Sequence, residues 1–176
     1  ALLDAPIYEK HLSSEMVTEH LKSISQALEA STKLVTLALG VNDSIVRHAE
    51  LPRVPVADMR QILKNNTKNY LQQDLANHVF DCYIVSNPET PSLPEGARTA
   101  PVATKLKVLV GGAKRQLVED LQAAVKDANL VADQMVPGLI GPVNAFELAM
   151  PDIFAREVVA LVDIGFKNST ICLLQS

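Results

Sequence analysis

A chain of 176 residues holds one domain or a tight pair at roughly 150 residues per domain. Apolar residues make up 48 % and charged residues 20 %, which supports a real core and argues against intrinsic disorder, while 4 % aromatics and no Trp leave that core to Leu, Val, Ile and Ala. A net charge of -4 argues against a general nucleic-acid binder, which needs a basic face, and two cysteines (Cys82 and Cys172) cannot staple a domain of this size and fit a reducing compartment.

No apolar run approaches the roughly 20 residues that span a bilayer, and no basic stretch followed by an apolar one marks an export signal. Direct membrane insertion and nucleic-acid partners are therefore not expected. The chain starts at Ala1 rather than Met, and a strand-like run stops at Ser176, so the expectation is a piece of a longer protein.

Ser13 or Ser14 can cap a helix whose apolar stripe is Val17, Leu21, Ile24 and Leu28. Residues 33–39 form a nearly continuous apolar run, the pattern of a strand covered on both faces. Gly40 to Ser44 carries turn chemistry, and 45–50 then predicts a partner strand and a hairpin. Pro52 and Pro55 interrupt regular structure, which places a crossing between subdomains at 51–55. From Val56 the spacing of Met59, Ile62, Leu63, Asn66 and Tyr70 predicts a helix, and 79–85 a strand. Residues 86–104, with Pro88, Pro91, Pro94 and Pro101, read as an exposed loop. A strand over 105–111, a helix over 113–128 and a strand over 130–136 predict a βαβ crossover, with Asn129 as a left-handed helix stop. A helix over 139–149 and a hairpin of 157–163 with 169–174 complete an α/β or α+β pattern.

Few motifs carry chemistry. Gly111-Gly112-Ala113-Lys114 lacks the second Gly beside the Lys and the Ser or Thr of a P-loop, so it reads as a plain strand-to-helix turn. His11, His20, His48 and His78 show no ligand spacing with each other or with the cysteines, and no metal site is expected. Asn65-Asn66-Thr67 and Asn168-Ser169-Thr170 match the glycosylation pattern, which is idle without export. No nucleophile elbow or dyad is present, and no catalytic residue is assigned. The most informative stretch is 158–173. There a strand delivers Asp163, Gly165 opens a tight turn, and Asn168, Ser169 and Thr170 lead into the next strand. Such a turn can aim N–H groups and hydroxyls at phosphate while the Asp holds hydrated Mg²⁺; an ordinary hairpin turn explains the same residues.

Asp163-Ile164-Gly165 followed by Asn168-Ser169-Thr170 resembles the second phosphate loop of the actin-like ATPase superfamily. Residues 46–55, with Arg47, Leu51, Pro52 and Pro55, are similar to the strand–Arg–x–x–x–Leu–Pro–x–x–Pro lead-in of the inserted subdomain in the PilM-like type IV pilus assembly family, which is related to the cell-division protein FtsA. The order of elements, down to the helix carrying Asn144-Ala145-Phe146-Glu147, agrees over about residues 14–176.

The resemblance implies a partial actin-like, ribonuclease-H-like fold. Residues 1–52 would form part of the first subdomain, 53–136 the inserted βαβ-containing subdomain, and 137–176 a return helix and the start of the second lobe. It implies a cytoplasmic scaffold at the inner face of the bacterial inner membrane. Such a scaffold binds the cytoplasmic tail of a membrane-anchored PilN-like protein and links the platform to the pilus motor, with self-association left open. It places the peptide groove between the first sheet and the inserted subdomain, near Arg47, Leu51, Arg53 and Val54. It gives ATP and Mg²⁺ to the intact protein, at Asp163, Gly165, Lys167, Asn168, Ser169 and Thr170, and none to this stretch alone. Phe166-Lys167-Asn168 stands where many actin-like members carry another Gly, so Lys167 would supply charge instead of close backbone approach. An ATP-hydrolysing enzyme and an FtsA-like cell-division adaptor are the alternatives.

Overall fold

The computed structural model describes residues 13–29, 31–85, 105–165 and 168–175. Lys167 and the proline-rich stretch 86–104 lie outside the described residues. The architecture is mixed α/β, with three separate small sheets among the described residues.

Strand β1 (Leu34–Leu39) pairs in parallel with β5 (Val131–Pro137), from Leu34 opposite Val131 to Leu39 opposite Pro137. One face of this pair is covered by α1 (Ser14–Ala27) and α4 (Arg115–Asp127), with Leu39, Ala113 and Leu121 buried among Val17, Leu37, Val118 and Met135. The two helices are stitched together by Thr18, whose hydroxyl donates to the carbonyls of Ser14 at 2.8 Å and Ala124 at 3.3 Å. The other face of β1 is open: Leu34, Thr36 and Ala38 are exposed. An apolar run is here not a strand buried on both faces but an alternating one.

The predicted hairpin of residues 33–50 does not form. The Gly40–Asp43 turn, closed by Asp43 and Ser44 N–H groups donating to the Gly40 carbonyl, sends the chain into a different sheet. There β2 (Ser44–Pro52) pairs antiparallel with β4 (Lys105–Lys114), and β3 (His78–Ile84) pairs antiparallel with the far side of β4. A nine-residue ladder to β4 outweighs a local hairpin, because it puts Ala49 and Leu51 beside Val108 and Val110 on one face. Helices α2 (Val56–Asn65) and α3 (Thr67–Leu71) cover that face, so that Leu51, Met59, Leu63, Val108 and Val110 have no exposure at all. Each such side chain contributes roughly 1.5–3 kcal/mol by leaving water. The helix predicted through Tyr70 breaks at Asn66, and the buried Thr67 hydroxyl accepts from the Leu75 N–H at 3.2 Å.

The order strand, helix, strand over 105–137 is as expected, but β4 and β5 belong to different sheets and are not a parallel pair. Gly111 and Gly112 lie inside β4, opposite Val46 and Ile45, and α4 starts only at Arg115. Asn129 takes the left-handed conformation (φ 60°), with Leu130 N–H donating back to Val125. After α5 (Ile140–Ala149) comes a short helix that the spacing did not predict, α6 (Pro151–Arg156), whose Phe154 packs on Phe146. The chain closes with the hairpin of β6 (Val159–Ile164) and β7 (Ser169–Leu174), which the sequence did predict.

Candidate functional site

The β6–β7 turn divides the residues that the resemblance brought together. In the ladder Asp163 is opposite Thr170, and Ile164 is opposite Ser169. Directly opposed residues share a face and neighbours alternate, so Asp163 and Thr170 lie on one face and Ser169 on the other. That other face is apolar, with Val162, Ile164, Ile171 and Leu173 all exposed. Gly165 closes the turn by donating its N–H to the Asn168 carbonyl at 3.0 Å. A Cβ at Gly165 would stand 2.7 Å from that same oxygen, so the turn requires Gly there. Asn168 reaches the turn between β1 and β2, where the Asn42 side chain donates to its Oδ1 at 3.4 Å. Asp163 and Thr170 together offer a carboxylate and a hydroxyl on one side, a pair able to hold hydrated Mg²⁺ and a phosphate oxygen.

The four groove residues are scattered. Leu51 is wholly buried under α2, so it has no surface to offer a peptide. Val54 is half-buried against the same core. Arg53 is exposed beside it. Arg47 is exposed and borders a shallow hollow of about 280 Å³ with His48, Tyr70 and Gln73, its guanidinium donating to the Val46 carbonyl at 2.9 Å.

A groove that sequence reasoning missed lies on the opposite side of the three-stranded sheet. Two adjoining cavities meet at Asp81, Gly111 and Pro137. One, of about 190 Å³, lies between the two sheets and is lined by Leu39, Phe80, Val118 and Met135. The other, of about 280 Å³, is lined by Val46, Tyr83, Leu109 and Ile140. Tyr83 is 71 % exposed on its rim. Asp81 Oδ1 accepts from the Arg60 Nε at 2.9 Å and from its own neighbour's backbone, Cys82 N–H, at 2.8 Å. Burial first, and the Asp81 charge second, push the Cys82 thiol pKa up against the pull of Arg60. The walls are apolar and the floor carries backbone, which suits an extended apolar segment. The sequence carried no separate signal for it, since Tyr83 reads there only as aromatic content of the 79–85 strand pattern.

A further cavity of about 650 Å³ lies between the 74–78 loop and the start of α4, beside His78 and Lys114. His78 Nδ1 is buried there without a hydrogen-bond partner, and desolvation, then Lys114, lower its pKa from 6.5 while the Leu75 backbone opposes them. A lowered histidine pKa means that the unfolded chain binds more protons than the folded one in the window just below 6.5. Stability is therefore expected to fall as the pH drops through that window. His78→Gln should flatten this part of the profile, as read by urea unfolding between pH 7.5 and pH 5.

Among the described residues no group of three His, Cys, Asp or Glu side chains is placed to hold a metal ion, and no helix is long and apolar enough to cross a membrane. No protein-family model and no curated protein matches the chain. Among solved structures, it is similar to a chain of the PilM–PilN type IV pilus biogenesis complex, with a TM-score of 0.72 at 18 % identity over 97 % of this chain and 49 % of that one. The cytoplasmic domain of EpsL, an inner membrane component of the type II secretion system of Vibrio cholerae, aligns at a TM-score of 0.46 and 12 % identity, over 89 % of this chain and 56 % of that one. The chain thus spans about half the length of each, and its fold is similar to the one in the PilM–PilN complex.

Proposed function

We propose that this chain is part of a PilM-like scaffold of type IV pilus assembly, and that its work is to hold the short cytoplasmic tail of a membrane-anchored, PilN-like protein. The observation that carries the reading is the fold likeness along 97 % of the chain to a structure described as a complex with PilN. The apolar groove at Tyr83, Gly111 and Pro137 supports it, because it lies between the β1–β5 pair and the three-stranded sheet and suits an extended apolar segment. Arg47 and Val54 lie on the helix-covered side of the sheet, away from this groove, and Leu51 acts only through the core beneath.

The test is a calorimetric titration of the chain with a synthetic peptide of the N-terminal cytoplasmic tail of the PilN-like protein from the same genome. Saturable binding is expected, weakened about tenfold by Tyr83→Ala, the usual loss for an aromatic anchor. No binding by the folded wild-type chain overturns the reading.

ATP and Mg²⁺ belong to the same proposal, in the intact protein. ATP would supply a nucleotide-dependent change of state; Asp163 and Thr170 share the face that would hold the ion and a phosphate oxygen, with Gly165 and Asn168 in the turn and Lys167 proposed to add its charge. Ser169 points the other way and is not expected to join them.

A further inference from the structure

β3 is an outer strand, since the sheet runs in the order β2, β4, β3. Its ladder to β4 is bracketed by Arg115 N–H donating to the Asn77 carbonyl at 2.8 Å and by Val85 N–H donating to the Lys107 carbonyl at 3.1 Å. Between these the register runs without a shift. An antiparallel ladder engages every second residue, so Val79, Asp81 and Tyr83 turn their backbone groups to β4. Phe80, Cys82 and Ile84 turn theirs outward.

The outward N–H of Cys82 is not bare, because Asp81 Oδ1 accepts it at 2.8 Å. The same oxygen takes Arg60 Nε at 2.9 Å and Nη2 at 2.8 Å. Arg60 comes from α2, on one side of the sheet, and Asp81 springs from the other side. The ion pair therefore passes over the strand edge as a strap. Straps and charges of this kind keep strand edges from pairing indiscriminately. Both side chains are about half exposed or more (49 % and 69 %), so the pair is weak and easily displaced.

We propose that the outer edge of β3 is where the partner's tail adds as an extra strand, with an incoming backbone carbonyl replacing the Asp81 carboxylate on Cys82 N–H. The occupant is an extended peptide carrying an acidic residue. Arg60, once released, stands one helical turn from Lys64, and among the described residues Lys64 has no ion-pair partner, so the edge is flanked by positive charge. The site is continuous with the apolar groove, since Asp81 and Cys82 line both. This rests on the peptide-binding reading above and adds its mode and its gate.

The experiment titrates the same synthetic tail peptide into the wild-type chain, Asp81→Ala and Cys82→Pro, and records amide exchange of the wild type with and without saturating peptide. Removing the strap should tighten binding about threefold, the size of a surface ion pair. Cys82→Pro deletes the outward N–H but no bond to β4, which an edge strand tolerates, and should weaken binding about tenfold. The Phe80, Cys82 and Ile84 amides should become protected on binding, while those of Val79, Asp81 and Tyr83 are protected already. That alternation decides the matter if Cys82→Pro fails to fold. Binding with unchanged affinity in Asp81→Ala and no new protection at the outward amides overturns the edge site and leaves the peptide reading intact. No binding to any form overturns both. Self-association of Asp81→Ala without peptide binding assigns the edge to a second copy and also overturns the proposal.

Discussion

Leu51→Ala is expected to destabilise the chain by about 3 kcal/mol, because it empties a site in a core that is fully closed from water. The side chain lies in β2 beneath α2, against Met59, Leu63 and Val108, none of which has any exposure. Neighbours locked between a nine-residue ladder and a helix have little room to collapse into the space. For a chain of this size the loss should lower the melting temperature by about 10 °C, measured by circular dichroism. The same variant separates two roles for this residue. Were Leu51 a groove contact, alanine would weaken tail binding and leave the melting curve in place.

Gly138→Val should be almost as damaging, at about 2 kcal/mol or more. Gly138 N–H donates to the Leu39 carbonyl at 2.7 Å, fixing the end of β1 to the corner between β5 and α5. A Cβ there would stand 2.8 Å from that carbonyl oxygen, a contact with backbone that no side-chain rotation relieves. The control lies three residues on. Gly141, inside α5, has nothing but its chain neighbours within 4 Å of its Cβ position, and the pre-proline restriction from Pro142 offsets the helix-propensity gain, so Gly141→Ala should change stability by less than about 1 kcal/mol. Chemical denaturation of the two variants side by side should show a far larger loss for Gly138→Val.

What was legible in the sequence was local. The 3.6-residue stripes of α1, α2 and α4, the Asn129 stop and the Ser169–Leu174 strand follow from spacing and turn chemistry that act within a few residues. Strand partnership was not legible, because it is decided by residues sixty or a hundred positions away. A short turn after β1 looked like a hairpin, yet β1 takes β5 and β2 takes β4. Nor can spacing tell which apolar residues of a strand–Arg–x–x–x–Leu–Pro stretch face inward: Leu51 proved to be core, while Arg47 and Arg53 proved exposed. The groove was hidden for the same reason. Its walls come from five separate strands and two helices, and each residue alone reads as ordinary strand content.

The ladder register of β6 and β7 has one more consequence. It gathers Val162, Ile164, Ile171 and Leu173 on an outer surface with no charge among them. Water gains by being rid of such a surface, and two copies meeting there would lose no solvated ion in doing so.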